Sequence, residues 1–397
     1  MTTNKKTLSI QDIDLKTLKE RAFNYRWAEV PDGHIPLTAA DSDFPPAKEI
    51  REDLIAYIEK GYFCYTPKTG LSSVKTAVAK ALKERKNENV KEEFVLPIDS
   101  AARGMSITAK AVLEPGSEML VFDPVDYLFA ASAKSAGAEV VYYPCMIKDG
   151  KLDLSKLEEY ISPRTKLIGF CNPHNPLGMC YTKEQLKELL DLANQYDLWI
   201  LNDEVWSDIV YPDASFHSLL EFDDSLIQKV ITVYGFSKSF AIAGLRAGVI
   251  LTQSQEAYDM ILETSEVLTT AGGVSSLTQV AMITCMTKCW YWVDAFIETM
   301  RINRDLAVSR IREMGLSVHT PEATFVLFID IRKTGLSSED FVKKVQDEGQ
   351  VVLVPGSKSF FGPGAQGYVR LCFATFEPML NVALERMERV VKTMLKK

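Results

Sequence analysis

From about Met119 the chain alternates short apolar runs with segments whose apolar residues recur at helical spacing. The runs fall at residues 119–122, 140–143, 167–170, 198–201, 230–233 and 248–251. Such an alternation predicts a mostly parallel sheet with crossover helices, because parallel strands are buried on both faces and need long return connections. One crossover shows the logic. Thr182 and Gln185 have the spacing of a capping box, and Leu186, Leu189, Leu190 and Ala193 follow on one face, so a helix is expected to about Tyr196. The next run begins at Leu198, which puts Asn202-Asp203-Glu204 at the carboxyl end of a strand. In open α/β sheets that edge is where ligands bind.

After about Asp294 the pattern changes to a long helical stretch through Met314, then an apolar run at 325–331, a helix over 338–348, runs at 351–354 and 368–373, and a closing helix. The expected class is therefore α/β, a large domain with a mostly parallel sheet plus a smaller α+β domain. The large domain is expected over 46–294, with 1–45 packing beside 295–397. No repeat, low-complexity tract or long linker interrupts the chain.

Composition narrows the function classes. With 397 residues, 47% of them apolar and 25% charged, the chain can bury a large core. Its net charge of −8 repels a phosphate backbone, which argues against nucleic acid as a partner. Residues 1–21 lack the continuous apolar stretch of a signal peptide, and no run reaches the roughly 18 apolar residues of a membrane span, so a soluble, cytoplasmic protein is expected. The seven cysteines are odd in number and lack CxxC spacing, which favours buried free thiols. The four histidines are scattered, and no metal site is expected.

The polar exceptions cluster after strands. Asn172-Pro173-His174-Asn175-Pro176-Leu177-Gly178 follows the run at 167–170, Asp203 follows the next, and Gly235-Phe236-Ser237-Lys238-Ser239 follows the run at 230–233. If those strands are adjacent and parallel, Asn175, Asp203 and Lys238 meet at one sheet edge. Arg370 interrupts the apolar segment Tyr368-Val369-Arg370-Leu371-Cys372, where a lone charge is costly unless it meets an anion. Gly362-Pro363-Gly364-Ala365-Gln366-Gly367 matches GxGxxG but precedes a strand instead of opening a helix, so it reads as a flexible loop near Arg370 and not as a dinucleotide site.

NPHNPLG, NDEVW and FSKSFAIAGLRAG, in this order and at about these separations, resemble the signature of the fold-type I pyridoxal 5'-phosphate enzymes, class I/II aminotransferase branch. The likeness runs from Pro36 to Ala374. The N-terminal part and the DIVYP segment at 208–212 most resemble the cystathionine β-lyase-like (C–S lyase) subgroup.

The resemblance implies pyridoxal phosphate as cofactor, with Lys238 forming its Schiff base and shuttling the proton. Asp203 would pair with the pyridine nitrogen, although an acidic residue there can also cap a helix. Asn175 would donate to the cofactor's phenolate oxygen, or serve only as a turn residue. The amides of Ser100, Ala101 and Ala102 would take the phosphate, although the family usually has glycine where Ser100 stands. Arg246 and Ser237 fit the cation and hydroxyl roles there, while Gly235 occupies a position where the family often has a second hydroxyl.

Tyr65 resembles the tyrosine that crosses a dimer interface to the partner's phosphate, which implies a homodimer; a core-packed turn aromatic is the other reading. Arg370 would grip the substrate α-carboxylate, with Ala40 and Asn175 beside it. Trp206 stands where many aminotransferases have a tyrosine bonding the phenolate. For the aromatic that stacks on the ring, Asp126 falls at the expected spacing and Tyr127 one residue later, and the role is assigned to Tyr127.

The activity this implies is transfer of an amino group between an L-amino acid and a 2-oxo acid. A C–S β-lyase releasing pyruvate, ammonia and a thiol is the alternative. A third possibility is a cofactor-binding partner protein that has lost turnover, against which the joint presence of Lys238, Asp203 and Arg370 argues.

Overall fold

A computed structural model describes residues 7–8, 13–20, 24–145, 147–148, 151–269 and 272–395. Parts of the N-terminal segment assigned above to the smaller domain therefore lie outside the described residues. The centre is a seven-stranded sheet: β1 (Val95–Ile98), β2 (Glu118–Asp123), β3 (Glu139–Pro144), β4 (Thr165–Cys171), β5 (Trp199–Asp203), β6 (Val230–Gly235) and β7 (Gly248–Leu251). Their spatial order is β1-β7-β6-β5-β4-β2-β3. Only β7 runs against the others.

Alternation along each strand divides the core into two layers. Met119, Val121, Leu201, Ile231 and Ile250 join helices Ala101–Val112, Leu128–Ser135 and Gln255–Ser265 on one face. Leu120, Phe122, Ile168, Ile200 and Val249 join the cluster on the other, which includes Leu186, Leu189, Leu190 and Ala193 of helix Lys183–Gln195. That helix begins at the expected capping box, Thr182 Oγ1 accepting from Gln185 N at 3.3 Å and Gln185 Oε1 from Thr182 N at 3.0 Å.

The strands expected from 119 onward are all present, while β1 is an addition. Pro97 sits in the middle of β1 and disguises it in the sequence, since proline cannot donate to a ladder; the sheet tolerates it because β1 is an edge strand paired only with β7.

A second, antiparallel sheet holds β8 (Ser317–Val318), β9 (Val326–Asp330), β10 (Val354–Pro355) and β11 (Tyr368–Cys372), in the order β8-β9-β11-β10. Helices Trp290–Glu313, Ser338–Gly349 and Glu377–Leu395 accompany it. The apolar run at 351–354 is broken in two. Val351–Val352 pairs in parallel with Ile35–Pro36, and only Val354–Pro355 joins the second sheet.

The segment expected to be a flexible loop at 362–367 is instead folded over Asp123. Helical turns Lys358–Phe361 and Pro363–Ala365 shape it. Gly362 has φ +95°, and a Cβ on it would lie 2.3 Å from Asp123 Oδ1. A Cβ on Gly364 would lie 2.7 Å from Asp123 Oδ2, so both glycines serve close approach to a carboxylate. Of the seven cysteines, Cys64 is exposed and the other six are buried, all free. Among the described residues no helix is long and apolar enough to cross a membrane.

Candidate active site

Strands β4, β5 and β6 lie side by side and in register, Cys171 opposite Asp203 and Asp203 opposite Val233. The loops after them emerge from one edge. Asn175, Asp203 and Lys238 therefore meet, and the second sheet brings Arg370 of β11 to the same place, its Nη1 donating to Asn175 Oδ1 at 3.4 Å.

Lys238 lies in the helical turn Phe236–Ser239 that directly follows β6. Its amine donates to the carbonyl of Ala40 and sits 5.5 Å from the centre of the Trp206 ring. Burial pulls its pKa below the usual lysine value, Asp41 opposing the shift and Arg370 adding to it. A lysine of that kind spends more time as the free amine, the nucleophilic form.

Asp203 is buried at the end of β5, and burial pushes its carboxyl up to about 7, against the pull of the Val205 amide that donates to Oδ1 at 3.0 Å. Its neighbours Asp126 and Glu204 push the same way, and Lys238 opposes them. The local turn uses Oδ1, while Oδ2 accepts only from the thiol of Cys171, at 4.0 Å, among the described residues.

Among the described residues, buried Arg370 has no acidic partner in hydrogen-bond range. Its Nη2 donates to Thr38 O at 3.3 Å, and its Nε has no partner at all. A buried guanidinium bonded only to neutral oxygens is an anion site.

At the other end of the cluster Gly248 stands opposite Gly235 across β6 and β7. A Cβ on Gly248 would lie 2.7 Å from the amide nitrogen of Ala101 and 2.8 Å from the carbonyl carbon of Ser100. The two strand ends therefore press against the start of helix Ala101–Val112; Ser237 follows Gly235 by two residues, and Arg246 precedes Gly248 by two. Ser100 Oγ caps the amide of Arg103 at 3.1 Å, while the amides of Ala101 and Ala102 have no acceptor within the helix. They are aimed as an anion requires.

Two expected residues stand apart from the cluster. Tyr127 is 49% exposed and lines, with Asp126, Lys134, Tyr142 and Lys358, a cavity of about 410 Å³ whose lining includes neither Lys238 nor Arg370. Its own amide donates to Phe360 O, which ties this residue to the 358–362 segment. The residue that bonds into the cluster is Asp126, whose Oδ2 accepts from Asn175 Nδ2 at 3.0 Å. Tyr65 is 94% exposed and touches none of the cluster residues within this chain.

Sequence reasoning passed over three contributors. Thr38 and Asp41 lie in the segment that also carries Ala40, and only their place beside it marked them. His174 is fully buried, its Nε2 2.8 Å from Pro124 O and Nδ1 3.0 Å from Tyr181 Oη, so it ties the Asn175 loop to the Asp126 loop. Burial lowers its pKa to about 4, which keeps the imidazole neutral.

The chain matches the family model of aminotransferase class I and II over residues 33–387. It belongs to that family. A relative named aspartate aminotransferase, from Pyrococcus horikoshii, is 31% identical over 362 residues, 90% of this chain and 90% of that protein. Another, named cystathionine beta-lyase, from Corynebacterium glutamicum, is 28% identical over 379 residues, 95% of this chain and 99% of that protein. Among solved structures, cystalysin from Treponema denticola, which contains a pyridoxal 5'-phosphate cofactor, has the same fold with a TM-score of 0.89 at 23% identity, over 99% of this chain and 100% of that one.

Pyridoxal 5'-phosphate is the cofactor of this aminotransferase, and the residues present fit it. A desolvated amine at Lys238 suits the aldehyde, the buried carboxyl of Asp203 suits the ring nitrogen, and the helix start at Ala101 with Ser237 and Arg246 suits the phosphate.

Proposed function

We propose that this family member moves an amino group between an L-amino acid and a 2-oxo acid, with Lys238 as the catalytic residue. The observation that carries this reading is the meeting of a desolvated amine, a carboxyl raised to about 7 and a guanidinium without an acidic partner at one sheet edge. The cofactor, when bound, supplies an aldehyde that condenses with amines and a ring that accepts electrons from the substrate's Cα. Arg370 would take the substrate α-carboxylate and so fix how the substrate Cα is oriented. Asp203, ionised by its cationic partner, holds the proton on the ring nitrogen. Lys238, once the substrate amine has replaced it, would be the base that takes the Cα proton and holds it for return to the product. Trp206 supplies a wall beside that amine.

The same reading treats the exposed aromatic stretch with Tyr62, Phe63 and Tyr65 as the face of a homodimer in which Tyr65 serves the partner's site. Sedimentation at about twice 44.5 kDa, together with loss of cofactor affinity in Tyr65→Phe, is the outcome expected.

A second reading, C–S β-lyase, is favoured by the near-full-length likeness to a protein named cystathionine beta-lyase. It starts from the same proton removal but expels a thiolate from Cβ. Mixing holoenzyme with a panel of L-amino acids decides between them. Transamination gives the aminated cofactor and a 2-oxo acid in equal amounts. Pyruvate and ammonia released from cystathionine over many turnovers, with no 2-oxo acid added, would instead establish the lyase.

A further inference from the structure

Lys238 and Arg370 come from different sheets, yet one short segment holds both. Residues 37–43 cross the site as a strap that belongs to no helix or strand. Thr38 O accepts from Arg370 Nη2 at 3.3 Å, and Ala40 O accepts from the amine of Lys238. With no regular structure of its own, the strap takes its position from its two anchored ends. At the first, Leu37 N donates to Val352 O and Leu37 O accepts from Cys372 N, both at 2.9 Å.

The second end is fixed by Asp43. Its amide donates to Ala374 O at 3.0 Å, and its Oδ1 accepts from Trp27 Nε1 at 2.8 Å and from Arg26 Nη2. Arg26 donates in turn to Cys372 Sγ at 3.3 Å and to Ala374 O at 3.4 Å, so one guanidinium fork spans the strap and the end of the strand that carries Arg370. Both side chains of the pair are fully buried, and among the described residues Arg26 Nε and Asp43 Oδ2 have no partner. Such a pair recovers little of its desolvation cost, and apolar side chains of similar size often serve stability as well or better. What it adds is direction, because a planar fork with fixed donors sets where Asp43, and with it the strap, lies relative to Arg370.

We propose that Arg26 and Asp43 are positioning residues for the reaction, their sealed ion pair setting the strap carbonyls that aim Lys238 and Arg370. The inference rests on the reading of those two cations as the catalytic amine and the α-carboxylate site.

The test removes the pair whole, as Arg26→Met with Asp43→Asn, which keeps an acceptor for Trp27 and leaves the net charge unchanged. A changed Lys238 then reports position and not charge. In the cofactor-free protein the rate of combination with pyridoxal phosphate follows the free amine, so its pH midpoint reads the surroundings of Lys238. Burial disfavours the charged amine, Asp41 favours it, Arg370 opposes it, and Cys372 and Asp126 favour it; the Ala40 carbonyl, as an acceptor, favours it too. Loss of that acceptor should move the midpoint to lower pH. In the holoenzyme, the L-amino acid concentration that half-changes the cofactor absorbance should rise about tenfold. Gly335→Ala, at an open turn before helix Ser338–Gly349, should move neither.

If the double variant does not fold, Arg26→Lys, which keeps the charge without the fork, is read in the same way, with smaller shifts in the same directions expected. A folded variant with the wild-type midpoint overturns the proposal, as does an equal shift in Gly335→Ala, which would trace the effect to lost stability alone. A moved midpoint with an unchanged amino-acid response overturns the part assigned to Arg370. If no L-amino acid alters the wild-type absorbance, the functional reading fails, and the midpoint by itself still decides whether the pair positions Lys238.

Discussion

Asp123, the last residue of β2, accepts the backbone amide of Gly364 at 2.7 Å, joining the large sheet's ligand edge to the segment that leads into β11 and Arg370. The same segment is tied again by Val125 N to Phe361 O at 2.9 Å. The approach is possible because Gly362 has no side chain. Gly362→Ala puts a Cβ 2.3 Å from Asp123 Oδ1 at φ +95°, and it should cost about 2 kcal/mol or more of stability. Gly335→Ala, at φ +71° with nothing within 4 Å, carries only the backbone strain and should cost about 1 kcal/mol. Urea unfolding of the two variants compares them directly; equal losses would remove the role assigned to the contact.

Asp203 makes the cofactor-free protein sensitive to pH. Its carboxyl is raised from an ordinary 3.8 to about 7, so between those values the folded chain holds a proton that the unfolded chain has released. The stability this contributes is complete below about pH 4 and is lost as pH rises through 7, a change on the order of 4 kcal/mol. Asp203→Asn has no such proton to lose. Cofactor-free Asp203→Asn should therefore melt higher than the cofactor-free wild type at pH 8, while binding pyridoxal phosphate more weakly. If the variant melts lower at pH 8, burial is not what sets this carboxyl.

Behind the site, Lys86 is the one cation among three buried carboxylates. Its Nζ is 3.0 Å from Glu88, 3.5 Å from Asp208 and 2.6 Å from Ser207 Oγ, and its charge also acts on Glu204. Glu204 adjoins Asp203, and Asp208 accepts from Ser239, which adjoins Lys238. Lys86→Met leaves those carboxylates uncompensated, at a cost of about 3–5 kcal/mol near pH 8. Burial already raises Glu88 to about 8, so at pH 6 it carries a proton and the loss should shrink. Denaturation at the two pH values checks this; a loss that does not depend on pH would contradict it.

Much of this arrangement was legible because its physics is local. The four-residue apolar runs and the capping box at Thr182 fix the strands and a crossover helix, and the order of those elements places Asp203 and Lys238 at strand ends. Arg370 stood out as a charge in an apolar strand. What stayed hidden depends on tertiary approach. The loop at 362–367 looked free because nothing in its sequence reveals a carboxylate 241 residues earlier against which its glycines close. The hydrogen bond from Asn175 to Asp126 joins two loops far apart in sequence, and residue type alone does not announce it. The Lys86 cluster joins residues from three separate segments, and no spacing could announce it.

The most direct measurement is borohydride reduction of the holoenzyme followed by peptide mapping. The cofactor should be found attached to Lys238 and to no other lysine, and Lys238→Ala should retain no label while remaining folded. Label on another lysine, or a fully labelled Lys238→Ala, would contradict the assignment of this amine as the catalytic centre.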